Sequence, residues 1–470
     1  MARFFRATIL IAFIFSAKSA FAACHVVTPS GSGSKTGADW NNAYAGLPST
    51  LTRGDVYYLA DGAYGSYTIS TPDSGTTVVE IRKAQTYDNC TSTGWSAATM
   101  GSSQASFTGS PALNLNSDWF ILNGNGTYAG IGCGGAPGPT VTSEPPNPSD
   151  CGIRLAGSSG ALNVVGCCGL HNTLKYIELV SSGTNNINGN GSLAIFAGIA
   201  DQSSTFFTIQ HMYARNEGCV YIQDIGSDTV VDHSYFWGTE VNGAPGSSAC
   251  HGQSEYSVNS SRGIRSYNVQ RDITGTAVWT FGTGGTFSDW QIYGNIIFMS
   301  SPTASWGPYL ANGVIACINA IAGPALCQNL AFYDNTIVVP GSNQTGILSE
   351  NSPSSYIVRD NLWYASIPLF YGSGFSGTQD HNSFLAGGTS CPSGTANVCN
   401  NASPNPFTNW PGGNFTLASD GANWNNRLSL GAPYDTDAAG KAFTSDRGAH
   451  QYSGSVAQVQ PPTGLVGTVN

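Results

Sequence analysis

A short phrase returns through the middle of the chain. It reads Ile209-Gln210-His211-Met212, Val231-Asp232-His233-Ser234, Ile264-Arg265-Ser266-Tyr267 and Ile292-Tyr293-Gly294-Asn295, and continues as Phe332-Tyr333-Asp334-Asn335 and Val358-Arg359-Asp360-Asn361. Each copy is an apolar residue, a polar one, a small or polar one, and a residue able to close a turn. The copies recur at intervals of roughly 20–40 residues, the period of solenoids. A unit of that size with two or three short strands has no means of burying its apolar face alone, so it must stack on its neighbours. Stacking in parallel register gives a right-handed parallel β-helix, with inward Ile, Val and Phe as a continuous core. The Asn at the phrase end suits a polar ladder, because its amide can bond the equivalent Asn one coil away and because Asn tolerates a left-handed turn.

With 470 residues the chain holds one large solenoid or two ordinary domains. Charged residues make up only 9% and hydrophobic ones 41%, which excludes a disordered chain or a coiled coil. No long stretch has helical periodicity, so the class is all-β. Arg3 and Arg6 precede an apolar run from Ala7 to Phe15, and Ala20-Phe21-Ala22 has the form of a signal-peptidase site. Residues 1–22 therefore read as a signal peptide, 23–452 as the β-helix domain and 453–470 as a flexible tail. Phe21 argues against a lipid anchor on Cys24, and no other stretch is long enough to span a bilayer. The expected protein is a secreted or periplasmic monomer without a membrane partner. The formal charge of −10 and the lack of a basic stripe argue against nucleic acid. A polyanionic substrate then requires positive charge concentrated locally.

Twelve Cys in an exported chain point to disulfides. Local pairing suggests Cys24 with Cys90, Cys133 with Cys151, Cys219 with Cys250, Cys317 with Cys327 and Cys391 with Cys399. Cys167 and Cys168 are left as a vicinal pair or with other partners. None has structural-zinc spacing. Trp40 to Leu51 reads as a short capping helix that plugs the N-terminal end of the solenoid, and the Pro/Gly-rich stretch from Gly132 to Asp150 as a surface loop pinned by Cys133 and Cys151.

The run Val27-Thr28-Pro29-Ser30-Gly31, with Trp40, Ala43, Leu47-Pro48 and Arg53-Gly54-Asp55-Val56-Tyr57-Tyr58-Leu59-Ala60-Asp61-Gly62-Ala63-Tyr64, resembles the entry segment of bacterial pectate-lyase-like proteins. The close of the chain is similar to their final segment: Asn414-Phe415-Thr416-Leu417, Gly431-Ala432-Pro433, Asp437 and Arg447-Gly448-Ala449-His450-Gln451-Tyr452. The resemblance implies a secreted right-handed parallel β-helix. It says little about the reaction, since that superfamily holds lyases, hydrolases, epimerases and proteins without assigned chemistry.

Ionisable residues gather where the phrase recurs. On the register that aligns Tyr221-Ile222-Gln223, Tyr256-Ser257-Val258, Ala277-Val278-Trp279 and Val314-Ile315-Ala316, three pairs approach one side of the solenoid: Arg215 with Glu217, His251 with Glu255, and Arg271 with Asp272. A β-elimination at a uronate needs a base for the proton alpha to the carboxylate, and positive charge for the enolate-like intermediate. The candidate catalytic residues are His251, Glu255, Arg271, Asp272 and Glu217, with Arg271, Arg262 or His251 as the base. Arg215, Arg262 and Arg265 are candidates for binding the substrate carboxylate, and Trp237 and Trp279 for stacking on sugar rings. Of the other aromatics, Phe236 and Phe281 are assigned to the core. Asp224 and Asp228 flank Gly226; they shape a turn or hold a Ca2+ ion. Arg271-Asp272 also reads as an ion pair of little consequence, and His211 and His233 as turn or ladder residues.

The leading expectation is a polysaccharide lyase acting on a uronate glycan. Two alternatives stay open: a non-catalytic glycan-binding or surface protein, and a glycoside hydrolase with Glu255 and either Glu217 or Asp272 as its two carboxylates. The Asn-Thr-Asp, paired Asp, Gly-His-Gly and Arg-Ile-Lys motifs of polygalacturonase-like hydrolases are absent from the sequence.

Overall fold

The computed structural model describes residues 22–452 except 127–130, 134–149, 158–162, 168, 181–196, 201–204, 218–219, 224–225, 240–251, 258–259, 274–276, 283, 301–312, 321–322, 340–345, 352–353, 366–369, 372–375, 386–391, 401–404, 420 and 438. Three long sheets, of 13, 12 and 10 strands, run the length of the molecule. Almost every strand pairs in parallel with its equivalent one coil away. A typical coil passes from Thr208–Gln210 in the first sheet to Tyr213–Glu217 in the second and Val220–Gln223 in the third; the next begins at Val230–Asp232. The chain is a parallel β-helix.

The interior follows from strand alternation, which sends every second side chain inward. On the first sheet Leu174, Ile209, Val231, Arg265, Ile292 and Phe332 are opposite one another in successive coils. The second sheet contributes Ala214, Phe236, Gln270 and Ile297, and the third Ile222, Glu255, Trp279 and Ile315. Phe236 and Phe281 belong to this core, as expected.

Each turn from first to second sheet carries one left-handed residue. Tyr176, His211, His233, Tyr267, Gly294, Asp334, Asp360 and His381 have φ between 46° and 66°. From Tyr267 to His381 the residue that follows is the phrase-end Asn, and these form a buried ladder. Asn295 Oδ1 accepts from Asn268 N at 2.9 Å, Asn335 Oδ1 from Asn295 N at 3.0 Å, and Asn361 Oδ1 from Asn335 N at 2.9 Å.

The expected capping helix is corrected by the structure. Trp40–Asn42 is a single 3-10 turn, and Tyr44–Ala45 is a strand paired with Val27–Thr28. Asn42 explains the change: its amide donates to Asp39 Oδ1 and accepts from Ser34 N, so side-chain bonds take the place of helical ones. Trp40 is nonetheless buried, its indole N–H donating to Asn89 O and Thr91 O. The disulfides Cys24–Cys90, Cys133–Cys151 and Cys317–Cys327 form as expected. Cys168, Cys219, Cys250 and Cys391 lie outside the described residues, as do residues 1–21 and the tail from 453. No described helix is long and apolar enough to cross a membrane.

The C-terminal segment returns over the outside of the coils. Phe415 packs on Phe298, Tyr434 on Tyr293 and Tyr333, and Arg427 grips Asp334 through both carboxylate oxygens. Beneath it Asp360 accepts from Leu428 N, and burial pushes its carboxyl up to about 6. A carboxyl whose folded pKa lies above the unfolded one contributes stability that is complete below about pH 4 and lost as pH rises through about 6. Asp360→Asn mimics the protonated form. It is expected to be on the order of 2–3 kcal/mol more stable than the parent at pH 8 and no more stable at pH 4. Thermal unfolding of both chains at the two pH values checks this; an advantage that is the same at both would refute it.

Candidate functional site

The outer face of the second sheet brings together the largest group of the predicted residues. Arg215, Trp237 and Arg271 are opposite one another on three successive strands, Tyr213–Glu217, Tyr235–Thr239 and Val269–Ile273. All three point outward, since Ala214, Phe236 and Gln270 between them point in. One coil before Arg215 lies Glu178, fully buried. The Arg215 guanidinium donates to its Oε1 at 2.6 and 2.9 Å, Gln104 Nε2 donates to its Oε2 at 3.0 Å, and Arg154 Nε is 3.7 Å away. The Arg154 and Arg215 side chains remain 39% and 24% exposed, so two cations surround one carboxylate at the surface.

The other end of the face is built on Asp272. It takes a left-handed backbone, φ 53°, inside a strand rather than at a corner. Asp tolerates this region better than most residues. The turn aims the carboxylate at four donors: Trp237 Nε1 at 3.2 Å, Ser300 N at 2.7 Å, Ser300 Oγ at 2.7 Å and Arg271 Nε at 3.2 Å. The Arg271 guanidinium lies over the Trp237 ring, 4.7 Å from its centroid. Burial works to lower the pKa of Arg271, but Tyr235 and Asp272 more than offset it and hold the group above the ordinary arginine value. Burial pushes Tyr235 up to about 12. At neutral pH Arg271 is a cation and Tyr235 a neutral phenol, and neither is a base.

One wall of this face comes from the pinned loop. Ile131 packs with Tyr213 and Tyr235, Gly132 N donates to His233 O, and the buried Cys133–Cys151 bond fixes the loop ends. Of the row, Arg215 and Trp237 keep partial exposure and Arg271 is almost buried.

Other predicted residues fall elsewhere, and the register explains why. Glu255 is opposite Ile222 and Trp279, and Arg265 is opposite Val231 and Ile292, so both point into the core. There they form a buried pair with Nε to Oε2 at 2.6 Å, and Thr229 O and Ile264 O take the remaining guanidinium protons. Substrate has no access to either residue. Trp279 is likewise 1% exposed in the interior, not a stacking surface. Arg262 lies at the opposite corner of the coil, bidentate to Asp228 with both contacts at 2.6 Å. Asp228 is thereby committed to a guanidinium, and Asp224 lies outside the described residues. Among the described residues no group of three or more His, Cys, Asp or Glu side chains is placed to hold a metal ion. His251 also lies outside them, and of Glu217 only the backbone is described. Sequence reasoning missed Glu178 and Arg154, which precede the charge-rich stretch; a lone Glu inside Ile177–Val180 is their one signal.

No protein-family model matches the sequence, and no curated protein matches it. Six solved chains match the structure. One is described as the crystal structure of pectate lyase Pel9A, at TM-score 0.55 and 10% sequence identity, covering 92% of this chain and 96% of that one. The fold is that of the pectate-lyase-like parallel β-helices. At this identity the pectate-lyase-like likeness concerns architecture alone, and the chemistry must be argued from the face just described.

Proposed function

We propose that the outer face of the second sheet binds an acidic extracellular polysaccharide and that the reaction is β-elimination at a uronate. The observation that carries the reading is the row of Arg215, Trp237 and Arg271 on successive strands, with Arg154 beside Glu178 at its Arg215 end, on one face of a chain with net charge −10. Among the described side chains of this face, three guanidiniums meet two carboxylates, Glu178 and Asp272, in a protein that is acidic as a whole. Arginine suits the task because its planar fork matches a carboxylate. A guanidinium beside the uronate carboxylate opposes its charge, acidifies the alpha carbon and stabilises the enolate-like intermediate as the proton leaves. The proton needs an acceptor. Arg271 is held protonated and Arg262 is bound to Asp228 at another corner of the coil, so His251 is the remaining one of the earlier candidates.

Hydrolysis is not supported by the two described carboxylates. Glu178 and Asp272 stand three strand steps apart, roughly 14 Å at the usual strand spacing, against the ~5–9.5 Å that glycosidases need. The non-catalytic reading has one observation in its favour: both carboxylates are saturated with donors and neither is available to take a proton.

The test is the ultraviolet absorbance of the unsaturated product on a panel of uronate polymers, with Ca2+ or with EDTA. Arg215→Ala and Arg271→Ala are each expected to lower kcat/KM about 100-fold. Product formed equally fast by both variants would place the chemistry elsewhere. Binding without product from any polymer would favour the non-catalytic reading.

A further inference from the structure

The two ends of this face differ in charge. Among the described side chains, Arg154 and Arg215 flank a single carboxylate, Glu178, at one end, and their balance is one positive charge. At the other Arg271 is matched by Asp272, their side chains only 10% and 13% exposed, and the balance is zero. The indole of Trp237 at that end is partly exposed and held by its N–H on Asp272. Arg271 covers one face of the ring, and at the next residue, Gly238 (φ 74°), a Cβ would meet nothing within 4 Å, so there is open space beside the backbone there. Tyr221 Oη donates to the carbonyls of both Trp237 and Gly238, which fixes the backbone at this point. The opposite pairing of Val180 with Arg215 and of Arg215 with Trp237 sets the two ends along the solenoid axis.

Given the reading of this face as a uronate-binding surface, we infer that it selects a heteroglycan, seating an acidic sugar at Arg154–Glu178–Arg215 and an uncharged sugar on Trp237. A carboxylate at the first position meets an unbalanced cation. A second carboxylate, on the next sugar of a homopolyuronate, would meet a cation already neutralised by Asp272 and the apolar edge of an indole, and would lose its hydration without a partner. An uncharged pyranose there loses little and gains stacking on the ring face. The preference is thus set by an unfavourable contact for one polymer as well as a favourable one for the other.

The experiment is isothermal titration calorimetry of the full chain with size-matched oligosaccharides. Hyaluronan oligomers, in which a uronate alternates with an N-acetylhexosamine, are compared with oligogalacturonate. The alternating oligomer is expected to bind at least about tenfold more tightly. Trp237→Phe, which keeps a ring but loses the bond to Asp272, is expected to narrow that ratio, and Trp237→Ala to abolish it by weakening the alternating oligomer more than oligogalacturonate. Arg215→Ala is expected to weaken both. Melting curves of each variant show that it is folded. Equal or tighter binding of oligogalacturonate by the parent chain overturns the inference and leaves the uronate-binding reading intact. Failure of both oligomers to bind overturns the two together.

Discussion

Arg265→Ala is expected to destabilise the protein by about 3–5 kcal/mol, the largest effect of any single substitution considered. Arg265 occupies an interior position that Val231 and Ile292 fill in the adjacent coils, and it is 1% exposed. Its guanidinium lies over the Trp290 ring at 4.4 Å and pairs with Glu255, itself 2% exposed and further bonded by Ser257 Oγ at 3.1 Å. Removing the cation leaves a carboxylate in the core with one hydroxyl donor. The pair itself contributes little net stability, because desolvating both ions costs about as much as their attraction returns. Arg265→Met with Glu255→Leu, which restores the apolar character of the neighbouring rungs, is therefore expected to be neutral or more stable by about 1–4 kcal/mol. Denaturant unfolding of the single and double variants measures both. If the two residues acted at the surface on substrate, neither change would shift the unfolding midpoint; a double variant as unstable as the single would show that the pair itself stabilises the fold.

The same pair marks the limit of what was legible beforehand. The phrase, its period, the inward aliphatics and the Asn ladder all follow from alternation and turn chemistry, and they specify the architecture and three disulfides. Alternation fails where polar residues occupy inward positions, and three consecutive strands have them, from the third sheet of one coil to the second sheet of the next: Glu255, Arg265 and Gln270. Ile264 then reads as the inward residue in place of Arg265, and a slip of one residue exchanges inside for outside, which is how Arg265 entered the predicted site. Tyr256-Ser257-Val258 reads as the strand of its coil, two residues past the true register, which leaves the core residue Glu255 in the connection before it. The second sheet escaped the error because Tyr213, Tyr235 and Val269 begin its strands in the same frame, so Arg215, Trp237, Arg271 and Asp272 were found. What no single-coil pattern shows is that Glu178 and Arg154, 37 and 61 residues before Arg215, complete the face.

The Asn ladder predicts a second large effect, graded by position. Asn335 accepts from Asn295 N and Nδ2 at 3.0 and 2.9 Å, and donates to Ile292 O at 2.9 Å and Asn361 Oδ1 at 3.0 Å. Leucine, of nearly the same shape, makes none of these bonds. Asn335→Leu strands a buried N–H and a buried carbonyl among coils where water has no access, at about 1–3 kcal/mol per group, and a total on the order of 4 kcal/mol is expected. At the last rung Asn397 is only partly buried; it still accepts from Asn382 N at 2.9 Å, but its contacts with Asn382 Nδ2 and Gln379 O stretch to 3.4 Å, so Asn397→Leu is expected to cost less, about 1–2 kcal/mol. Serine should recover part of the loss at Asn335. Ser234 already serves one rung of the same ladder, its hydroxyl accepting from Met212 N at 3.1 Å, but it offers no second donor to the neighbouring coil. Chemical unfolding of the three variants tests the order. Equal costs at Asn335 and Asn397 would mean that the side chain matters only for the left-handed turn beside it, which every coil shares, and not for the bonds that join one coil to the next.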